Sequence, residues 1–384
     1  MSVRIAFVAP FGLGQKTTVW ARTLPLAREL VAQGSMVTIL IPPWDTPADS
    51  GRVWQEDGVQ VINVRVNGGM PMMLWRICGG LDHFKPDVVH IVKPRAHAGL
   101  IQWLFWQRRR FFRSEPRIFL DIDDWEQAWA SINPYSPLVS RFLAWQEEWG
   151  IRHADAITAA SHWLVERVQQ YTPQTPVLYL PNGISAPSAP TILPQSTDSK
   201  RVLFYSRYVE VPLEWLADFW SVLHQQEPSA TLTIFGDALQ PQRRNQFQQA
   251  MCNRYPEAAD SVIWQAYNPR LVEQLYAESD CAIFPSAKTP LHEAKCSVKL
   301  ATTLLRGIPV VASAVGEQQY YGAEGAAELV AADATPAEFA AAVLQVLADP
   351  QQRQQQQARA QQRLLQTYQW AKLGKDLGAF YEQA

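Results

Sequence analysis

No stretch of the 384-residue chain approaches eighteen uninterrupted apolar residues, which excludes a membrane-spanning helix. Cysteine is scarce: Cys78, Cys252, Cys281 and Cys296 stand far apart, with no pair at metal-ligand spacing. That argues against a bound metal cluster or a disulfide framework and predicts a reduced, cytosolic compartment. Excess charge is missing as well. The 34 Lys and Arg residues nearly balance 36 Asp and Glu, for a formal net charge of −2. Whole-chain affinity for nucleic acid is therefore excluded, and any polyanion must be met by a local cluster. The opening MSVRIAFVAPFG holds an apolar run too short for the core of a signal peptide.

What is present is ordinary globular material, 47% hydrophobic and 18% charged, in a chain long enough for two domains. Short apolar runs alternate with helical spacing from the start: VRIAFVA, a loop PFGLGQKT, the helical VWARTLPLARELVAQG, then MVTILIP. The pattern continues through VQVINVRV, PDVVHIVKP, a helix over residues 99–112, RIFLDID and ADAITAAS. Runs that are apolar throughout, separated by helices, predict a parallel sheet covered on both faces. PNGISAPSAPTILPQSTDSK interrupts this grammar and reads as a linker, after which RVLFYSR, ATLTIFG, SVIWQAY, DCAIFPS and IPVVASA restart it. The expectation is an α/β chain of two doubly wound, Rossmann-like parallel-sheet domains. These are an N-terminal domain over 1–182, a linker over 183–200 and a C-terminal domain over 201–365. A terminal helix over 366–384 is expected to return to the first domain. Two such domains facing each other would bring the carboxyl ends of both sheets to a shared cleft, so the loops after strands are where ligands are expected.

Four of these loops carry candidate residues. Gly12 and Gly14 follow the first strand, where glycine lets a backbone approach a ligand and leaves helix N–H groups for an anion, although a plain tight turn fits equally well. The third glycine of a dinucleotide fingerprint is absent, Thr17 standing in its place. LDIDDWE gathers Asp121, Asp123, Asp124 and Glu126 at and beyond a strand end, as candidate bases or partners of sugar hydroxyls, or as caps of the next helix. His97, in KPRAHAGL, is either a cleft residue or a structural histidine. Arg207 follows VLFYS, where a guanidinium can clamp phosphate. Lys295 and Lys299 flank Ser297 one helical turn apart, so two cations, a hydroxyl and backbone donors can face a diphosphate from a helix start. Finally, WLFWQRRRFFR, from Trp103 to Arg113, combines five aromatics with four arginines. It is either a surface for anionic lipid or a helix with a buried aromatic face and a solvated basic end.

With these residues in hand, the chain resembles the retaining glycosyltransferases of family four, which have the GT-B fold. HADAITAAS, LPNGI, RVLFYSR, ATLTIFGD, LYAESDCAIFPS and GIPVVAS follow one another in the family's order over nearly the whole length. The resemblance implies transfer of a sugar from a UDP-, GDP- or other nucleotide-diphosphate donor to a glycan, lipid or small-molecule acceptor, with retention and no obligatory metal. It implies donor binding by Gly12, Gly14, Arg207, Lys295, Ser297, Lys299 and Thr302, and acceptor contacts by His97, Asp124 and Glu126. Catalytic roles fall to Asp121, Asp123, Asp124, Arg207 and Lys299. The expected setting is cytoplasmic, peripheral at the inner face of the plasma membrane. The chain also departs from the family pattern. Pro212 and Leu213 occupy the places of a usual lysine, and the two glutamates eight residues apart are replaced by Ala294 and Thr302. A subgroup with two lysines flanking a Cys-Ser pair looks like TPLHEAKCSVKL here, yet even there a ribose-binding glutamate is usual at the position of Thr302. The alternative is therefore a degenerate relative that binds a glycan, lipid or partner without catalysis.

Overall fold

The computed structural model describes residues 3–13, 18–109, 111, 116–133, 135–186 and 200–384. Gly14, the linker core over 187–199 and part of the Trp103–Arg113 segment lie outside the described residues. The chain forms two compact units. The first comprises Met1–Gly183, Ala294–Cys296 and Tyr368–Ala384, and the second comprises Ile184–Glu293 and Ser297–Thr367.

The first unit runs β1 (Arg4–Val8), α1 (Leu24–Ala32), β2 (Met36–Ile41), β3 (Val53–Glu56), β4 (Val59–Asn63), α2 (Gly69–Phe84), β5 (Val88–Val92) and α3 (Ala96–Arg108). It continues with β6 (Arg117–Ile122), α4 (Pro137–Arg152), β7 (Ala156–Ala159), α5 (His162–Tyr171) and β8 (Val177–Tyr179). The strand order is β3-β4-β2-β1-β5-β6-β7-β8, and every pairing is parallel except β3 with β4. VVHIV of β5 and AITA of β7 are buried at every position, as strands covered on both faces must be. Ser161 starts α5 by accepting the Leu164 N–H at 3.1 Å. The helix expected over 99–112 is observed as α3, which begins three residues earlier and ends at Arg108.

The second unit contains β9 (Arg201–Tyr205), α6 (Leu213–Gln226), β10 (Thr231–Phe235), α7 (Gln242–Arg254), α8 (Pro256–Ala259), β11 (Val262–Gln265), α9 (Val272–Glu278) and β12 (Cys281–Phe284). It continues with α10 (Pro290–Ala294), α11 (Val298–Leu305), β13 (Val310–Ser313), α12 (Glu317–Gly322), β14 (Glu328–Val330), α13 (Pro336–Ala348) and α14 (Pro350–Tyr368). Its sheet, β11-β10-β9-β12-β13-β14, is wholly parallel. Trp220, Phe219, Phe247 and Phe339 fill its core. α13 opens with a reciprocal cap between Thr335 and Glu338.

The last helix, α15 (Trp370–Gln383), belongs to the first unit and lies on α1. Gly374 permits the close approach, because a Cβ there would stand 2.2 Å from that of Glu29. Tyr381 from α15 reaches the sheet interior, where its hydroxyl meets His90 Nδ1. The Arg117 guanidinium donates to the carbonyls of Tyr381 and Ala384 at 2.5 Å each. The two sheets give the chain the two-domain, Rossmann-like α/β class expected from its alternation.

Candidate functional site

In the first unit β5 and β6 are parallel neighbours, so the loops that follow them leave on one edge. Lys93 comes directly after β5, in the left-handed region at φ 63. For a residue with a Cβ this costs about 1 kcal/mol or more. Its ammonium, nearly buried, approaches three carboxylates: Asp123 Oδ1 at 2.8 Å, Asp124 Oδ2 at 3.1 Å and Glu126 Oε1 at 3.2 Å. Arg95 adds a second cation to Glu126 and also donates to the Tyr135 hydroxyl. Behind them, the fully buried Glu147 accepts the backbone N–H groups of Glu126 at 2.8 Å and Gln127 at 3.1 Å.

The protonation states follow from this crowding. Burial penalises the Lys93 ammonium, but the three carboxylates outweigh it and hold its pKa well above the ordinary value. Burial pushes the Asp123 carboxyl up to about 6, since the Lys93 charge only partly offsets burial and the repulsion of Asp124 and Asp121. Glu126 also meets a burial penalty, but Lys93 and then Arg95 overcome it and keep the group ionised. Glu147 has no such cation. Burial first, and Glu126 second, raise it to about 8 despite its two backbone donors. One nearly buried carboxyl that titrates near neutrality, held beside a fixed cation, is the arrangement general acid–base chemistry uses.

Asp121, grouped with the other carboxylates in the sequence, does not join them around Lys93. It sits inside the sheet, where Arg22 grips it with Nε at 2.8 Å and Nη2 at 2.7 Å and Thr158 donates to Oδ1 at 2.6 Å. Burial opposes its charge, but the Arg22 guanidinium more than compensates and lowers its pKa. Arg22 also bonds Asn182 Oδ1 and the Leu180 carbonyl, so the pair ties the first helical turn to the end of the domain. Gly12 donates its N–H to Asp45 Oδ1 at 2.6 Å, and a Cβ there would collide with Thr46 Oγ1. His97, buried at the start of α3 with its ring 6.5 Å from that of Trp44, has neither ring nitrogen hydrogen-bonded. Its burial lowers its pKa and so favours the neutral imidazole.

In the second unit the site forms at the end of β9. Glu210 collects the Ser206 hydroxyl and the N–H groups of Arg207 and Val209, a turn that leaves the Arg207 side chain exposed. Gly236, at the end of β10, lies against this turn, where any Cβ would meet the Ser206 carbonyl at 2.1 Å. Lys299 projects from the first turn of α11, with its ammonium 3.6 Å from the centre of the Tyr205 ring. β9 ends on that same tyrosine, and the exposed Arg207 follows it two residues later.

The two lysines do not share a helix. The segment expected to be one helix breaks at residues 295–297, between α10 and α11. Lys295 stands in the break with its ammonium 4.6 Å from the Trp129 ring, so the geometry of one helical turn is corrected. Ser297 is the N-cap residue of α11 but makes no side-chain cap. Thr302 Oγ1 donates to the Val298 carbonyl of its own helix at 2.8 Å. Lys93, Arg95, Arg22 and Glu147 were missed in the sequence. KPR directly after VVHIV was the one available signal, a cation at a strand end like Arg207.

Among the described residues no group of three or more His, Cys, Asp or Glu side chains converges as a metal site. No helix among them is long and apolar enough to cross a membrane.

Two parallel-sheet α/β units in succession set the fold, and comparison with known proteins supplies the family, that of the GT-B glycosyltransferases. Residues 17–183 match the family described as Glycosyl transferase 4-like domain, and residues 199–349 match Glycosyl transferases group 1. No curated protein matches the sequence. Among solved structures, sucrose-phosphate synthase from Thermosynechococcus elongatus superposes with a TM-score of 0.73 at 16% identity, covering 99% of this chain and 98% of its own. HepE from Anabaena, solved in complex with UDP-glucose, gives 0.69 at 13% identity, covering 99% of this chain and 100% of its own. A glycosyltransferase from Rickettsia africae gives 0.71 at 12% identity, covering 100% and 98%. At these identities the likeness is one of fold.

Proposed function

We propose that the chain transfers a sugar from a nucleotide-diphosphate donor to a hydroxyl-bearing acceptor, with retention of anomeric configuration and without an obligatory metal. The observation that carries this reading is that β9 of the group 1 domain ends on Tyr205, whose ring carries the Lys299 ammonium, and is followed two residues later by the exposed Arg207. Two cations at that edge would stabilise the diphosphate charge that develops as the glycosidic bond breaks. HepE, of the same fold, has been solved with UDP and with UDP-glucose, which supports a nucleotide sugar as donor. The first unit supplies the acceptor side in this reading. Asp123 accepts a proton from the acceptor hydroxyl, Asp124 and Glu126 hydrogen-bond its sugar or polar groups, and the neutral His97 pairs with a further hydroxyl. Retention would appear as an unchanged anomeric configuration in the proton spectrum of the first product formed, and metal independence as full activity in a chelator.

Titration with UDP, GDP and other nucleoside diphosphates tests the donor site, and no binding at millimolar concentration would sink the proposal. A second reading, a degenerate GT-B protein that binds without catalysis, is favoured by Thr302, whose hydroxyl is turned into its own helix. Nucleotide-sugar hydrolysis that disappears in Lys299→Ala would decide for the enzyme. The proposal places the enzyme in the cytoplasm, peripheral at the inner face of the plasma membrane.

A further inference from the structure

Two helix starts border the acid–base cluster, and neither brings a cap of its own. α3 begins at Ala96 behind Arg95, and a short 3₁₀ helix over Glu126–Ser131 begins behind Trp125, with no capping side chain on either preceding residue. Both starts are held instead by consecutive residues of α4. Gln146 Oε1 accepts the Ala96 N–H at 3.0 Å while its Nε2 donates to the Ala96 carbonyl at 3.1 Å. Glu147 takes the N–H groups of Glu126 and Gln127. Successive helical side chains point about 100° apart, so a single turn of α4 reaches the loop after β5 and the loop after β6 together.

The hold on the first of these loops works against strain. Lys93 and Ala96 are both left-handed, at φ 63° and 49°. Such residues persist only where their surroundings over-determine them. Gln146 engages both polar groups of Ala96, and the packing closes around it: a Cβ at Gly99 would stand 2.9 Å from Gln146 Nε2, and one at Gly150 would stand 3.0 Å from the Cβ of Pro94. A second amide, Gln102 Nε2, donates to the Gly150 carbonyl at 2.8 Å and joins α3 to α4 without bonding either loop. Phe105 is buried and Trp106 packs edge-on against Trp149, so these two aromatics of the Trp103–Arg113 segment are spent on the interior and on α4, while Arg108 and Arg109 pair with Asp82 and Asp155. Gln146 and Glu147 are themselves buried. A local Ser or Asp would cap either helix start without burying an amide and a carboxyl, so helix stability alone does not call for this pair. What the pair adds is a fixed spacing between two loops.

We propose that Gln146 and Glu147 are positioning residues, gripping the loops after β5 and β6 from one helix and so fixing Lys93 beside Asp123. Neither touches a reacting group. Gln146 acts through the loop that carries Lys93, and Glu147 through the loop that carries Asp123 and Glu126. The charges that act on Asp123 are Lys93 from the loop after β5, Asp124 and Asp121 from its own loop and strand, and Arg22 from the first helical turn. Lys93, 2.8 Å away, does most to favour the ionised carboxylate. Releasing its loop therefore weakens that contact and leaves Asp123 harder to ionise. The effect on catalysis rests on the proposed transfer activity; the fixed spacing of Lys93 and Asp123 does not.

The test is an infrared difference titration of the unliganded chain, with Asp123→Asn identifying the carboxyl, run beside the hydrolysis of UDP- and GDP-sugars. The wild-type carboxyl is expected to titrate at about 6. In Gln146→Leu the titration should move up by about one unit or more. Its kcat should fall about tenfold or more, with the inflection of the pH profile following the carboxyl, while KM for the nucleotide sugar stays within about twofold. Gln146→Asn, the same amide on a shorter stem, should shift in the same direction and reads the effect where leucine prevents folding. Glu147→Gln keeps an acceptor for one N–H and should recover most of the rate lost in Glu147→Leu. Gln102→Leu breaks the other bond between α3 and α4, and it should lower the melting temperature while leaving the Asp123 titration in place. An unshifted titration in the folded Gln146 variants, or an equal shift in Gln102→Leu, overturns the proposal. A shift in a chain whose wild type hydrolyses no nucleotide sugar removes the transfer reading and leaves the positioning standing. Hydrolysis by a wild type whose variants show no shift does the reverse.

Discussion

The two units place charge at their strand ends in different ways. In the first, three carboxylates enclose one nearly buried lysine, with Arg95 and Glu147 behind them, so the cluster is neutralised largely from within. In the second, Arg207 is exposed and Lys299 lies on an aromatic face. A self-neutralised cluster suits an uncharged, hydroxyl-rich ligand and poises one carboxyl for proton transfer. An exposed arginine and a lysine lying on an aromatic ring suit a polyphosphate. The same parallel-sheet grammar thus carries, in the proposed reading, an acid–base site in one unit and an anion site in the other. Surface character divides in the same way. Of the fourteen large hydrophobic side chains exposed among the described residues, twelve belong to the first unit, and only Ile263 and Tyr267 to the second.

The contrast breaks most severely at Lys93. Replacing it with methionine leaves three carboxylates crowded without their shared cation, and the expected loss of stability is about 3–5 kcal/mol in denaturant unfolding. Adding Glu126→Gln should recover part of that loss. A Lys93→Met protein as stable as the wild type would mean that the cluster is solvated rather than internally neutralised. At Lys299 the expectation is reversed. Lys299→Ala should leave the melting temperature nearly unchanged and weaken nucleoside diphosphate binding by about 1.5–3 kcal/mol, the size of a hydrogen bond to a charged group. Calorimetric titration of both proteins measures the difference.

The acidic cluster also predicts two pH effects. Glu147 is protonated at neutral pH in the folded chain, because burial raises it to about 8. A folded pKa above the unfolded value of about 4.3 means that the group's contribution is fully present below that value and is lost as pH rises through about 8. The wild type should therefore lose melting temperature progressively between about pH 4 and 8, and Glu147→Gln should lose less. Asp123, raised to about 6, becomes competent as a base above that pH. The transfer rate should rise with an inflection near 6, and Asp123→Asn should abolish that limb of the profile.

How far the sequence reveals this depends on how local the determining interaction is. Strands such as VVHIV and AITA are buried throughout, and a continuous apolar run of that length announces a covered parallel strand wherever it occurs. The place of Arg207 could be read because it depends on one adjacent strand end. Arg22 could not, since its partner Asp121 lies 99 residues away and nothing in WARTLP distinguishes a buried arginine from a solvated one. The same is true of Lys93, which acquires its neighbours only when β6 lies beside β5. The break at residues 295–297 was also hidden, because EAKCSVK contains neither Gly nor Pro and reads as continuous helix.

The smallest effect is expected at Thr302, and it bears on what the second unit has kept. Its hydroxyl proton is committed to the Val298 carbonyl, so the side chain has no proton to donate to a ribose and can only accept. The usual glutamate would instead accept from both hydroxyls of a diol. If Lys299 and Arg207 bind the diphosphate while ribose recognition is reduced, Thr302→Glu should add affinity to a site that already functions, by about 1–2 kcal/mol. The gain should be present for a nucleoside diphosphate and absent for its 2′,3′-dideoxy analogue, while the wild type should bind the two almost equally. A wild type that strongly prefers the ribose form would show that another residue holds the diol. Tighter binding of both ligands by Thr302→Glu would mean that the substitution acts on the helix and not on the sugar.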